Sequence, residues 1–110
     1  MNIQQSQSKC HGIKLFINDD SGKEIARAHL YIMHNDLHDR PFGFMEDVYV
    51  DESLRGQGTG TELVNKIIQL TKENNCYKLI ATSRHSRPKV HALYLRLGFF
   101  DHGKEFRIDF

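Results

Sequence analysis

The stretch that decides the fold of this chain is Val48-Tyr-Val-Asp-Glu-Ser-Leu-Arg-Gly-Gln-Gly-Thr-Gly-Thr-Glu-Leu-Val64. It predicts a buried strand, a tight glycine loop and the start of an amphipathic helix. The first turn of a helix has backbone N–H groups without partners, and the helix dipole adds roughly half a positive charge there. Glycines allow an anion to approach such a backbone closely. The stretch therefore predicts a loop that holds a pyrophosphate.

The spacing of the glycines narrows the choice of ligand. Gly56, Gly58 and Gly60 form G-x-G-x-G, whereas a dinucleotide-binding fingerprint requires G-x-G-x-x-G and position 61 is a threonine. A P-loop is also excluded, because no lysine follows these glycines. An ordinary glycine-rich turn before a helix remains an alternative on these residues alone.

Length and composition indicate one domain, residues 1–110, with a polar and frayed segment at residues 1–9. A net charge of +1 argues against a nucleic-acid-binding protein that relies on bulk charge. No apolar run approaches the ~20 residues that span a bilayer, and the N-terminus does not resemble a secretory signal. Two cysteines form no disulfide framework, so we expect a cytoplasmic location.

The hydrophobic pattern alternates between strand and helix periods. It predicts a hairpin from a strand beginning at Gly12 and a second strand, then a third strand, a helix, a buried strand, a second helix and two closing strands. The predicted bounds after the first strand are Glu24–Met33, Phe42–Val50, Thr59–Asn74, Cys76–Ala81, Pro88–Gly98, Phe99–His102 and Glu105–Phe110. The third strand, the helix and the next strand form a right-handed strand–helix–strand crossover, so the strands that end near Val50 and Ala81 should be parallel. The expected fold class is α/β (α+β), with a mixed, mostly antiparallel sheet.

Two motifs resemble a known family. Arg55-x-x-Gly58-x-Gly60 resembles the R/Q-x-x-G-x-G/A signature of the GNAT superfamily of N-acetyltransferases, which bind acetyl-coenzyme A (acetyl-CoA). Ala92-Leu-Tyr-Leu-Arg-Leu-Gly-Phe99 resembles its second signature, a tyrosine four residues before Gly-Phe. The resemblance covers residues 42–110 and implies a GNAT acyl-CoA acyltransferase fold whose parallel strands splay apart. The family's usual first strand and two helices are expected to be missing, so the fold is abbreviated at its N-terminus.

The resemblance also implies roles for individual residues. Val48–Val50 would pair with the pantetheine arm, the loop would bind pyrophosphate, and a backbone N–H near Val48 would stabilise the oxyanion. Tyr94 would protonate the leaving thiolate, although a core aromatic on an apolar helix face is the simpler alternative. The expected cofactor-binding residues are Val48, Tyr49, Val50, Arg55, Gly56, Gln57, Gly58, Thr59, Gly60 and Thr61.

Glu46 is the best candidate for the base that deprotonates the amine. Strand alternation predicts that Phe44, Glu46, Val48 and Val50 share one face and that Asp47 points to the other. A carboxylate on an apolar face is costly unless it is paired or useful. Glu46 either holds a substrate ammonium or a water, or forms a structural salt bridge.

The other residues with reactive side chains fit structural or solvent-exposed positions better than catalytic ones. His34 and His38 have the spacing of a zinc helix but lie in a predicted loop, so no metal site is expected. Cys76 suits core packing. His91 is expected at the surface. A basic cluster near the gap between the splayed parallel strands would meet cofactor phosphates, an anionic substrate or only solvent; it comprises Arg84, Arg87 and Lys89.

The expected function is an acetyl-CoA-dependent N-acetyltransferase that acts on a primary amine of a small molecule or peptide, with no nucleic-acid or membrane partner. Glu46-Asp-Val-x-Val50 and Asn75-Cys-Tyr-Lys78 look like glucosamine-6-phosphate N-acetyltransferases, whereas Arg87-x-x-x-His91-x-x-Tyr94 looks more like aminoalkylphosphonate acetyltransferases. The alternative is a non-catalytic acyl-CoA-binding module or sensor. An open sheet edge gives such a short chain reason to form a homodimer.

Overall fold

The computed structural model describes residues 1–110. Its elements are β1 (Cys10–Asn18), β2 (Glu24–Met33), β3 (Phe42–Val50), a 3-10 turn (Glu52–Leu54), α1 (Thr59–Glu73), β4 (Leu79–Ala81) and α2 (Pro88–Arg96). The strands form one sheet in the order β1-β2-β3-β4, in which β3 and β4 are parallel and the other pairs antiparallel. The mixed, mostly antiparallel sheet and its parallel pair are therefore confirmed. No helix combines the length and the apolar character that crossing a membrane requires.

The core lies between α1 and one face of the sheet. Alternate residues of β2, from Ala26 to Ile32, are buried against this helix. Leu63, Val64 and Ile67 of α1 are also buried, as the 3.6-residue period predicts. Each large side chain contributes roughly 1.5–3 kcal/mol when fully buried, so this interface fixes the position of the helix and hence of the loop before it.

The parallel pair is short. Only Gly43, Phe44 and Met45 of β3 have partners in β4, and β3 continues to Val50 without them. The predicted strand Cys76–Ala81 is therefore wrong in its first half. Cys76 instead closes the turn after α1, because its N–H donates to the carbonyl of Thr71 at 3.2 Å. The N–H of Tyr77 donates to the carbonyl of Pro41 at 3.0 Å, and the N–H of Gly43 donates to the carbonyl of Lys78 at 2.9 Å, so these two residues bond to the start of β3 without being strand residues.

A one-residue bulge interrupts β3 at Asp47, whose φ is +52°. Met45 pairs with Leu30 and Val50 with Ala26, so residues five apart on β3 oppose residues four apart on β2. The extra residue reverses the alternation beyond it. The prediction that Phe44, Glu46, Val48 and Val50 share a face is wrong: Phe44 and Glu46 face away from α1, whereas Val48 and Val50 face it.

The predicted closing strands, Phe99–His102 and Glu105–Phe110, are absent. Residues beyond α2 form no regular element, and Phe106, Ile108 and Phe110 are almost fully exposed. Alternating apolar residues give strand potential, but a strand also needs a neighbouring edge to pair with. No strand of this chain pairs with the segment.

Candidate active site

The glycine loop begins with a tightly capped turn. The Asp51 carboxylate accepts hydrogen bonds from the N–H and hydroxyl of Ser53, at 3.0 and 2.7 Å, and from the Tyr49 hydroxyl at 3.0 Å. The hydrogen bonds from Ser53 are the largest cause that lowers the pKa of Asp51 from 3.8 to about 2. The hydrogen bond that Tyr49 donates to Asp51 is the largest cause that raises the pKa of Tyr49. This cap directs the chain from the end of β3 into the loop.

The loop presents a set of unbonded backbone N–H groups. Gly56 and Gly58 both have φ of +80°, a conformation that side chains disfavour and that turns the following amides outward. The first helical bond of α1 is the one from Glu62 to the carbonyl of Gly58, at 3.0 Å. The N–H groups without a partner in the protein belong to Gly56, Gly58, Thr59, Gly60 and Thr61. Such an array at a helix N-terminus binds anions.

These amides open into a cavity of about 370 Å³ between the loop and α2. A Cβ built at Gly60 would lie 3.8 Å from Leu93 and 3.9 Å from Val50, so a larger residue here would narrow the cavity. The lining residues are Val50, Leu54, Arg55, Gly56, Gly58, Thr59, Gly60, Thr61, Lys89, Leu93 and Arg96. Seven of the ten residues predicted to bind the cofactor are among them.

The other three predicted cofactor residues lie outside this cavity. The Gln57 side chain turns back and donates to the carbonyl of Ser53 at 3.1 Å. Val48 packs against the core, and Tyr49 lies on the opposite face of the sheet with its ring 4.9 Å from the Arg27 guanidinium. Arg55 lines the cavity but is engaged locally: its Nε donates to the carbonyl of Val50 at 3.3 Å, and its guanidinium is 3.7 Å from Glu52.

Tyr94 is fixed at the end of α2 by the turn that follows. Gly98, with φ of +106°, ends the helix, and the N–H of Phe99 donates to the carbonyl of Tyr94 at 3.0 Å. The rings of Tyr94 and Phe99 lie 5.3 Å apart, and both pack against the core. Burial raises the pKa of the Tyr94 hydroxyl above its ordinary value of 10.0, so it stays protonated at neutral pH. This hydroxyl forms no hydrogen bond, which leaves it available to a ligand.

Glu46 lies on the face away from α1, directly opposite His29 of β2. It is exposed and forms no salt bridge, so the structural alternative of an ion pair is wrong. His29 was missed in the sequence, where it is one of the polar residues that alternate with the buried positions of β2. The Nδ1 atom of His29 is buried without a partner. No hydrogen bond joins Glu46 to Tyr94.

The remaining candidates separate clearly. His34 and His38 lie in an exposed loop, and no group of three or more His, Cys, Asp or Glu side chains is placed to hold a metal. Cys76 packs against the core, and burial raises its thiol pKa. His91 is half-buried, and its Nε2 lies 2.8 Å from the carbonyl of Arg84.

The predicted basic cluster does not act as one unit. Lys89 lines the cavity, whereas Arg84 and Arg87 do not. Arg96, at the other end of α2, lines it instead and was not singled out in the sequence. Its spacing of seven residues from Lys89, with Leu93 between them, was a usable signal for a shared helix face.

A strand, a capped glycine loop with free amides, a helix and a short parallel strand together belong to an acetyltransferase fold. Residues 3–99 match the Acetyltransferase (GNAT) family, and the chain belongs to this family.

Relatives agree with this assignment. A glucosamine 6-phosphate N-acetyltransferase of Trypanosoma brucei brucei is 33% identical over 97 residues, which are 87% of this chain and 64% of the relative. A crystal structure of a Trypanosoma brucei acetyltransferase matches with a TM-score of 0.80 at 29% identity, over 90% of this chain and 69% of that one. Glucosamine-6-phosphate N-acetyltransferase from Arabidopsis thaliana matches with a TM-score of 0.78 at 26% identity, over 90% and 67%. The chain thus spans about two thirds of these proteins.

Proposed function

We propose that residues 1–110 form a single domain that transfers an acetyl group from acetyl-CoA to a primary amine of a small molecule. The observation that carries this proposal is the loop of five unbonded amides, from Gly56 to Thr61, at the N-terminus of α1. An anion that is large, flexible and phosphorylated, such as CoA, fits amides, glycines and cations in one cavity. Membership of the GNAT family supports the same ligand.

The free edge of β3 gives the pantetheine arm a place. Beyond Met45 no residue of β4 pairs with β3, so the edge at Val48–Val50 is open to an extended amide chain. Pantetheine carries such amides and would add to the sheet as a short strand does. This supports the role of Val48, Tyr49 and Val50 through their backbone, which does not require their side chains to line the cavity.

The bound thioester would supply an activated acetyl group. Glu46, exposed on the face away from α1, would remove the extra proton from the substrate ammonium directly or through water. The amine nitrogen then bonds to the acetyl carbon, the nitrogen loses its remaining extra proton to water, and the carbon–sulfur bond breaks so that CoA leaves as a thiolate. A backbone N–H near Val48 would stabilise the oxyanion, and the Tyr94 hydroxyl would donate to the departing sulfur. No metal takes part in this scheme.

An amino sugar phosphate is the acceptor class that we favour. Two of the relatives are glucosamine 6-phosphate N-acetyltransferases, and the sequence resemblance around Glu46 points the same way. The face of the sheet that carries Glu46 also carries Arg27 and Lys14, and both of these cations are paired with Glu24. A peptide amine and an aminoalkylphosphonate are the competing acceptors.

Calorimetric titration with acetyl-CoA tests the cofactor site. Gly58→Val should reduce affinity at least about tenfold, because the side chain would occupy the approach of the phosphates and because φ of +80° is strained for valine. Gly22→Val is the matched control, since Gly22 has φ of +87° and an equally empty surrounding, in the distant β1–β2 turn. Both variants should lose about 1–2 kcal/mol of stability, but only the first should lose affinity. Equal affinity in the two variants would place the pyrophosphate elsewhere.

Thioester cleavage with separate amines tests the transfer itself. Glucosamine 6-phosphate, an aminoalkylphosphonate, a polyamine and a peptide N-terminus should give different rates of CoA release, with the sugar phosphate fastest. Tight binding of acetyl-CoA without turnover on any amine would favour the non-catalytic binding module.

We also propose a cytoplasmic homodimer. Two features support a second copy as partner: the exposed apolar residues Phe106, Ile108 and Phe110, and the free edge of β4. The apolar segment of one copy would pair with the β4 edge of the other. Two unpaired cysteines, one of them exposed, support a reducing compartment. Light scattering that shows a monomer at high micromolar concentration would contradict the dimer.

A further inference from the structure

One face of α2 presents two positive side chains to the glycine loop. Lys89, Leu93 and Arg96 are spaced at i, i+4 and i+7, so they lie on the same side of the helix. All three line the cavity that the loop amides open into. Leu93 sits beside Gly60, which places the two cations on either side of the point where helix and loop meet.

Neither cation is neutralised by the protein. Lys89 and Arg96 form no salt bridge with any carboxylate, and α2 contains no acidic residue. Arg55, on the loop side of the same cavity, is paired with Glu52 at 3.7 Å. The uncompensated positive side chains of the cavity therefore come from α2, across the cavity from the loop.

Coenzyme A carries two separate phosphate groups, the diphosphate and a monoester on the ribose 3′-oxygen. The loop amides suit the diphosphate. A phosphate monoester carries about −1.5 to −2 charges at neutral pH, and a guanidinium beside an ammonium matches it, because arginine binds two oxygens and lysine adds a point charge. We infer that Lys89 and Arg96 bind the 3′-phosphate of CoA and so select the phosphorylated cofactor. This inference rests on the proposed function.

The experiment compares acetyl-CoA with acetyl-3′-dephospho-CoA by calorimetry. The unmodified protein should bind acetyl-CoA at least about tenfold more tightly, a typical effect of charge-assisted hydrogen bonds. The double variant Lys89→Gln/Arg96→Gln should bind both compounds with similar affinity. The matched control, Arg84→Gln/Arg87→Gln, removes the same charge from residues outside the cavity and should keep the preference.

The outcomes separate this inference from the proposed function. Equal affinity of the unmodified protein for the two compounds would overturn the inference and leave the proposed function standing, whereas binding of neither would contradict the proposed function. If Lys89→Gln/Arg96→Gln keeps the preference but raises KM for glucosamine 6-phosphate, the cations serve the phosphate of the acceptor and the inference is wrong. Circular dichroism of each variant establishes that it is folded.

Discussion

At the scale of single residues, Tyr94 has the chemistry of a hydrogen-bond donor. Burial raises its pKa above 10.0, whereas a thiol titrates near ~8.5. The phenol therefore holds its proton more tightly than the departing sulfur attracts it. Tyr94 would act by donating a hydrogen bond to the thiolate as charge develops, and solvent would supply the final proton.

Replacing Tyr94 with phenylalanine should lower kcat about 100-fold, while affinity for acetyl-CoA stays within about twofold, because only the donor to the leaving group is lost. Stability should hardly change, since the hydroxyl has no partner in the protein. Steady-state kinetics and calorimetry measure both quantities. Tyr77→Phe, which removes a phenol that stacks on His38 in another part of the chain, is the control. Unaltered kcat in Tyr94→Phe would rule out the donor role.

Glu46 and Asp47 offer a comparison of adjacent carboxylates. Glu46→Gln should lower kcat/KM for the amine at least about 100-fold, because a general base contributes factors of this size. Asp47→Asn should leave it nearly unchanged, since asparagine tolerates the positive φ of the bulge. The pH dependence of kcat/KM in the two variants supplies the measurement. Equal losses in both would indicate a nonspecific effect of charge on the acceptor.

At the scale of elements, the Asp51 cap makes the stability of the fold depend on pH. Its folded pKa is depressed from 3.8 to about 2, so the cap stabilises the fold fully above 3.8 and loses that contribution as pH falls toward 2. Asp51→Asn should unfold at lower urea concentration at neutral pH, and its difference from the unmodified protein should shrink across this window. Urea midpoints at several pH values provide the test.

Asp19→Asn is the control for the cap. Asp19 accepts hydrogen bonds from Ser21 and Lys23 in the β1–β2 turn, and these bonds lower its pKa as well. Its loss should reduce stability without affecting acetyl-CoA affinity, whereas Asp51→Asn should weaken both. Unchanged affinity in Asp51→Asn would show that the loop keeps its shape without the cap.

The sequence pattern predicted those helices and strands that begin or end at a proline, a glycine or a capping aspartate. Pro41 and Asp51 delimit β3, Gly58 precedes α1, and Pro88 and Gly98 bracket α2, so these elements agree with expectation to within about two residues, the usual uncertainty of element ends. The glycine loop was found because positive φ requires a special residue.

Features that depend on distant partners were not predictable. The bulge at Asp47 leaves no mark on local alternation, and it moved Glu46 to a face different from that of Val48. The cavity-lining role of Arg96 depends on how α2 docks against the loop. The segment after Phe99 has strand composition, but its pairing depends on an edge that this chain leaves vacant.

At the scale of the whole molecule, the exposed C-terminal segment should control assembly. Phe106→Asp/Ile108→Asp should convert a dimer to a monomer, because two charges would replace the apolar side chains that a partner covers. Phe16→Asp, on the exposed edge strand β1, is the control and should remain dimeric. Light scattering distinguishes the masses. If only Phe16→Asp dissociates, the dimer forms through β1.

Because the ladder between β3 and β4 is short, different parts of the sheet are held together by very different numbers of paired residues. β1 and β2 are joined along nine paired positions, whereas β4, which leads into α2, pairs with β3 at three positions and adds the hydrogen bond from Tyr77 to Pro41. Local opening in proteins begins where such ties are fewest. A ligand that contacts both the loop before α1 and the cations of α2 would link these two parts and stabilise the region where the pairing is short. Acetyl-CoA would then be a structural component of the domain as well as its substrate, and the supply of cofactor would govern how long the protein survives unfolding and proteolysis.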